Sequence, residues 1–464
     1  MPEFHAEPYL HLAGLSHKSA LITWGAFYFR VRSDRQWKLV DDRDLKYVHP
    51  PRRESIGARS EPYGPAQVIV YDADGRAVAR ALTDVTNWVW VSGLAPDTTY
   101  RYEVLVKGER WGHEERWDWR AGDRQGLVQD GGRYQNVFRT HPLPSAPLAA
   151  PFSFAVIGDF GTGIKKPSTP TRRQREVATA LAKAIDTFDV RLVITTGDNI
   201  YAGARIFGLP VGGQGDEDDD WFFTFFQPYR YIVNRLPFYP SIGNHDAAES
   251  EDRDDRDQVM DNFFLVERAA GDEAAGRASI GPGLFYRFKF GADVEFVCID
   301  TSKEAFFGRK RLFEYPKHWA FLEQSFVPDA ARRWMIPFGH HPRYSAGPRH
   351  HNTDGMQRLD ALFARAGVRA TFAGHEHNFQ HSFAGGIDHF VTGAGSKVRT
   401  APPTSFEAAR TVSWASQAHF LVVTIDGDTM RVRPFGELVD GELREIERYA
   451  PDGTVVSTPI AITI

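Results

Sequence analysis

The chain of 464 residues has a single cysteine, Cys298, so no intrachain disulfide can form. That residue sits in the apolar run "VEFVCID", where a buried thiol acting as a small core hydrophobe is expected. No stretch approaches the roughly 20 apolar residues needed by a membrane-spanning helix. The start "MPEFHAEPYLHLAG" lacks the basic residues and apolar core of a secretory signal, which points to the cytoplasm, or to secretion or the periplasm if a signal was removed. A basic excess is missing too. Lys and Arg number 55 against 60 Asp and Glu, a net charge of −5 that offers nothing to a nucleic acid. Several catalytic signatures also fail. In "GDFGTGIKKPST", Ile164 stands where a phosphate-binding loop needs lysine, and in "HEHNF", Phe379 replaces the second histidine of a zinc-protease helix. There is no G-x-S-x-G nucleophile elbow and no repeat at a solenoid period.

Hydrophobic content of 42% and charged content of 25% suit a globular chain with a proper core, and the length suits two or three domains. The first ~140 residues read as all-β. "SALITWGAFYFRV", "AQVIVYDADGRAVA", "TNWVWVSGL" and "TYRYEVLVKG" are β-branched and aromatic runs separated by turn signals. "GLAPDTTYRYEV" resembles a strand-turn-strand of immunoglobulin/fibronectin type III-like sandwiches, with Tyr100 or Tyr102 as a tyrosine corner. Residues 1–143 are therefore expected to form such a sandwich, with a long polar loop inserted at 41–63. A Pro/Ala linker follows at 144–151. The tryptophans in "RWGHEERWDWR" suit hairpin packing better than a carbohydrate platform. The acidic clusters "GDEDDD" (215–220) and "EDRDDRD" (251–257) suit solvated loops, and the insert 205–222 a pocket rim.

From 152 to 464 strands alternate with helices, the pattern of a layered α/β domain, reverting to β-hairpins from about 415. "TRRQREVATALAKAIDTF" is an amphipathic helix with Val177, Leu181 and Ala184 or Ile185 on one face. The informative feature is how the strands end. "VIGD" delivers Asp159, "ITTGDNIY" Asp198 and Tyr201, and "SIGNHD" Asn244, His245 and Asp246. "PFGHH" delivers His340 and His341, and "FAGHEH" His375 and His377. Each is an apolar run, a glycine, then a side chain able to bind a metal. Open α/β sheets place their sites at the carboxyl ends of strands, so these groups should converge. A thiolate-free set of carboxylates and imidazoles suits iron, manganese or zinc, and it is too large for one ion. Two ions sharing a carboxylate, as in two-metal hydrolytic sites, would use it all.

The order "GDFG", "GDNIY", "GNHD", "GHHP", "GHEH" resembles the calcineurin-like metallophosphoesterases, and the tyrosine in "GDNIY" resembles their purple acid phosphatase branch. The resemblance runs over about 150–430, and the preceding sandwich is similar to the N-terminal domain of plant-type members. It implies a fold of two mixed sheets flanked by helices. It implies a ferric ion on Asp159, Asp198, Tyr201 and His377. Asp198 would bridge to zinc, manganese or ferrous iron held also by Asn244, His375 and His340, the last favoured over His341. The implied reaction is hydrolysis of a small phosphate monoester by water that the cations acidify. His245 would be the general acid, His350 would assist it, and Asp246 would play a structural part. The neighbouring readings are a phosphodiesterase using the same site on nucleotides or phospholipids, and a metal-binding adaptor without catalysis. Oligomeric state is left open.

Overall fold

From Tyr9 to Leu15, strand Phe4–Leu15 buries both of its faces, and this decides how the first layer sits on the rest. Leu10 and Leu12 point one way, Tyr9, His11 and Ala13 the other, as the two-residue period of a strand requires. The computed structural model describes residues 4–31, 37–39, 64–112, 134–164, 168–201, 204–206, 209–211, 221–248, 259–270, 284–303, 310–353 and 355–464. The insert expected at 41–63, both acidic clusters and most of "RWGHEERWDWR" and of 205–222 lie outside them.

The strand pairs with Ser19–Val31, which also pairs with Trp37–Leu39 and Trp88–Ser92 in an antiparallel sheet. A second antiparallel sheet runs Ala77–Thr83, Ala66–Tyr71, Thr99–Val106, Glu109–Arg110, with Val137–Arg139 also on Thr99–Val106. Leu10, Ile22 and Trp24 from the first sheet and Val68, Tyr102 and Val104 from the second share one core. The Tyr100 hydroxyl accepts the Ala95 N–H at 2.8 Å, the geometry of a tyrosine corner, so Tyr100 takes that place. Tyr102 instead donates to the Asn234 carbonyl at 2.6 Å, across to the α/β part. The outer face of the first sheet lies on an aromatic segment, Tyr9 against Phe226 (4.5 Å between rings) and Phe27 against Phe222 (5.0 Å). The Pro/Ala stretch is fastened as well, Ala146 accepting from the Ala292 N–H at 2.7 Å and Leu148 donating to the Asp293 carboxylate.

Two mixed sheets make up the α/β part. The six-stranded one runs Phe238–Pro240, Val190–Thr195, Phe152–Ile157, Phe420–Asp426, Thr429–Phe435, Ile460–Thr463, its first three strands parallel. The nine-stranded one contains the parallel block Val294–Cys298, Trp334–Phe338, Ala370–Ala373, Ile387–Thr392. Phe154 of the first sheet packs edge-on to Phe296 (5.0 Å) and Phe372 (6.0 Å) of the second, so the sheets face each other over a common core. Cys298 is buried there. Helix Thr169–Phe188 opens at Ser168, whose hydroxyl accepts the Thr171 N–H, and buries Val177, Leu181, Ala184 and Ile185. The other face of the nine-stranded sheet, with Val297 and Met335, is covered by helices Pro316–Ser325 and Asp360–Ala366. Among the described residues no helix is long and apolar enough to cross a membrane.

Candidate metal centre

The parallel strands of both sheets end at one place. Phe152–Ile157 leads to Asp159, Val190–Thr195 to Asp198 and Tyr201, and Phe238–Pro240 to Asn244 and His245. From the facing sheet, Trp334–Phe338 leads to His340 and His341, and Ala370–Ala373 to His375 and His377. Asp159, Asp198 and His375 each adopt positive φ (54°, 49° and 71°). Such backbone is uncommon outside glycine and concentrates where surrounding structure enforces it for function. The glycines before the donors answer a different demand, which is room. A Cβ on Gly243 would collide with the Asp198 backbone nitrogen and carboxylate, and one on Gly374 with the Asp159 carboxylate.

Two groups of donors result. In the first, the Tyr201 hydroxyl lies 3.4 Å from Asp159 Oδ1 and 3.2 Å from His377 Nε2, and His377 Nε2 lies 3.4 Å from Asp159 Oδ1. Asp159, Asp198 and His377 offer donor atoms within 4.8 Å of one another. In the second, His340 Nε2 lies 3.4 Å from Asp198 Oδ1, 2.9 Å from Asn244 Oδ1 and 3.1 Å from His375 Nδ1. Asp198 stands in both. His340 is oriented by its other nitrogen, 2.8 Å from the Thr196 carbonyl, as metal-ligating histidines usually are. His341 also stands near, its donor atom within 4.8 Å of those of His340 and His375. Its Nδ1 lies 3.1 Å from the Thr301 hydroxyl, whereas His340 Nε2 is the atom that meets Asp198 and Asn244.

Electrostatics make this set fit for cations. Burial, then the facing charge of Asp198, push the Asp159 carboxyl well above its usual range. Burial would also raise Asp198, but His340, His245 and the His245 N–H (3.0 Å) hold it low. Burial and neighbouring imidazoles keep His341 and His375 far below the ordinary histidine value, and burial with Arg399 does the same for His377. Neutral imidazoles keep a lone pair for a metal. The Tyr201 phenol is pushed well up by burial and by Asp159 and Asp198, so it needs a cation to ionise.

His245 lines the cleft with its ring 4.8 Å from that of Tyr201, and burial lowers its pKa. His350 stacks on His375 at 3.9 Å between rings, its pKa lowered to about 4 by burial and then Arg399. Among the described residues, Asp246 makes no hydrogen bond to His245 and instead binds neighbouring backbone. Its carboxylate accepts the N–H groups of Gly243 (2.8 Å), Asn199 (3.2 Å) and Ile200 (3.0 Å), tying two donor turns together.

Four cationic side chains that sequence reasoning passed over also line the cleft of about 480 Å³: Arg173, Arg349, Lys397 and Arg399. Only the basic opening of "TRRQRE" hinted at one of them. Past Asn244, His350 and His375 the cleft continues into a second lobe of about 640 Å³.

Residues 152–379 match the family model for calcineurin-like phosphoesterases. Tartrate-resistant acid phosphatase type 5 of Oryctolagus cuniculus is 26% identical over 277 residues, covering 55% of this chain and 76% of that protein. Purple acid phosphatase 4 of Arabidopsis thaliana is 25% identical over 251 residues, covering 53% and 68%. In fold, the chain is similar to the purple acid phosphatase PPD1 of yellow lupin (TM-score 0.58, 13% identity, 94% of this chain and 73% of that one). It is also similar to PhoD (TM-score 0.62, 12% identity, 97% and 92%).

Proposed function

Through residues 152–379 the chain is a calcineurin-like metallophosphoesterase, a metal-dependent phosphoric ester hydrolase, and from that premise we propose that it hydrolyses phosphate monoesters in the manner of a purple acid phosphatase. The observation that carries the reading is the pair of donor groups meeting at Asp198. Asp159, Asp198, Tyr201 and His377 would hold a ferric ion. Asp198, Asn244, His340 and His375 would hold zinc, manganese or ferrous iron. Bound there, the two cations supply Lewis-acid activation of water and neutralise phosphate oxygens.

The chain's own residues do the rest. His245, beside Asn244 in the cleft, holds the proton for the leaving oxygen, and His350, against His375, assists. Asp246 keeps the turn bearing Asn244 locked to the one bearing Asp198 through three backbone N–H groups. Residues 1–143 are read as a fibronectin type III-like domain, 144–151 as the linker and 152–464 as the catalytic domain. A core of its own for the sandwich and a family match beginning at 152 support that division.

The second lobe of the cleft favours one alternative, a phosphodiesterase that lays a second ester arm past Asn244. The adaptor reading is disfavoured because the donor set and His245 are complete. Steady-state hydrolysis of 4-nitrophenyl phosphate and bis(4-nitrophenyl) phosphate by the metal-loaded chain separates them. Faster turnover of the monoester supports the proposal, and faster turnover of the diester overturns it.

A further inference from the structure

The loop that carries His350 is fastened at its base and at its tip by different residues. At the base the Ala346 N–H donates to Gln380 Oε1 at 2.7 Å, and Ala346 bridges to His351. Gln380 lies in strand Phe379–Ala384, and its amide donates to the Ser382 hydroxyl at 2.6 Å. At the tip the His350 N–H donates to Glu376 Oε2 at 2.8 Å. The His350 carbonyl accepts from the Ser345 hydroxyl at 2.6 Å, so both backbone groups of the residue are committed. Its imidazole thereby lies on His375 and lines the cleft.

Glu376 stands between His375 and His377 in the chain, and its side chain turns away from the donors they supply. It packs under the backbone of Gly347, where an added Cβ would collide with the Glu376 Cγ and carboxylate. Glycine at 347 lets the loop cross directly over that carboxylate. The Glu376 side chain is fully buried. A buried carboxylate is costly unless it is paired and hydrogen-bonded, and apolar side chains fill such a place at less cost. Here Oε2 has the His350 N–H, a charge-assisted bond of the stronger kind. Among the described residues Oε1 has no hydrogen bond, with Arg399 Nε 3.5 Å away. A local rule broken in this way is expected where a residue serves function as well as packing.

We infer that Glu376 is a positioning residue: through the His350 N–H it holds the tip of the loop so that the imidazole stays on His375 and open to the cleft. This rests on the phosphohydrolase reading above and adds to it a residue that acts through His350. One short segment then supplies donors to the metal centre and fixes a group that assists the proton transfer to the leaving oxygen. Gln380 holds the base of the loop independently, so removal of the Glu376 carboxylate loosens the tip alone.

Hydrogen exchange on the full metal-free chain, read at single amides by nuclear magnetic resonance, tests the clamp without turnover. Glu376→Ala should speed exchange at the His350 amide by about 10-fold or more and leave the Ala346 amide protected. Glu376→Gln, which keeps an acceptor oxygen, should restore the slow rate. A wild type whose His350 amide exchanges freely, or an alanine variant with an unchanged rate, overturns the inference. On the metal-loaded chain, kcat for phenyl phosphate, whose leaving oxygen needs a proton, should fall about 10-fold or more in Glu376→Ala and recover in Glu376→Gln. The nitro group of 4-nitrophenyl phosphate takes up the leaving charge, so kcat for that ester should fall less than about 3-fold. In His350→Ala, adding Glu376→Ala should cost less than about a further 2-fold on phenyl phosphate. Equal losses on the two esters, additive losses, or loss of bound metal in Glu376→Ala would make the residue a general support and overturn the inference. A wild type inactive on both esters is instead the failure of the phosphohydrolase reading, and the exchange rates still decide the clamp.

Discussion

The ammonium of Lys397 lies 3.2 Å from the centre of the Tyr201 ring. Tyr201 is buried, and its hydroxyl points to Asp159 and His377. A cation on the face of the ring stabilises the electron-rich phenolate that a ferric ion would bind. With that ion loaded, charge transfer from phenolate to iron should give a visible absorption band, and Tyr201→Phe should abolish it. Lys397→Met should raise the energy of the phenolate electrons and move the band to longer wavelength. An unmoved band in Lys397→Met would mean that the ammonium does not act on the ring.

His245 faces the cleft and meets the donor set through its backbone N–H on Asp198 and its ring against Tyr201. Its side chain can therefore be removed without removing a donor. His245→Ala should keep its metals and lose about 10²–10⁴ in kcat, the usual worth of a positioned proton donor. Loss of metal together with activity would make His245 a structural residue.

Gly243 is needed for space. An added methyl would meet the Asp198 carboxylate and backbone, and neighbouring backbone cannot easily retreat. Gly243→Ala should leave the far-ultraviolet circular dichroism unchanged while metal occupancy falls by at least half. Full occupancy in a folded variant would contradict the crowding.

Acid should loosen the chain through histidines far from the centre. Burial, with Arg268 beside it, lowers His11 to about 3, and both ring nitrogens lack a partner among Phe225, Phe226 and Phe264. Burial lowers His141 and His318 to about 3 as well. Unfolded histidine titrates near 6.5. Below that pH the unfolded chain takes up protons that the native chain refuses. The stabilisation is therefore complete above about pH 6.5 and is lost progressively down to about 3. At pH 5 each such histidine costs up to roughly 2 kcal/mol. Urea unfolding at pH 7.5 and pH 5 should show His11→Leu losing less stability over that interval than the wild type. Equal losses would contradict the linkage.

Much of the centre was readable because each part is local: an apolar run, a glycine, then Asp159, Asp198, Asn244, His340 or His375. Strand periodicity and the rule on strand ends bring such parts together without knowledge of the sheet order. The positive φ of Asp159 and Asp198 left no mark, since aspartate is common in ordinary loops too. The clamp of Asp246 on Asn199 joins residues 47 apart, and hydrogen bonds of that reach follow from packing alone. The cationic wall was missed for the same reason: Arg173 and Arg399 come from opposite ends of the α/β part and are neighbours only in the folded chain. In the sandwich, "TYRYEV" offered two tyrosines, and only the hydroxyl geometry picks Tyr100 for the corner.

Counting the ions is the most direct test. Elemental analysis of the metal-loaded chain should find close to two ions per molecule, and Asp198→Asn, which weakens the carboxylate common to both donor groups, should drop below one and lose activity. A wild type that binds a single ion, or an Asp198→Asn protein that keeps two ions and full turnover, would contradict the shared two-ion centre.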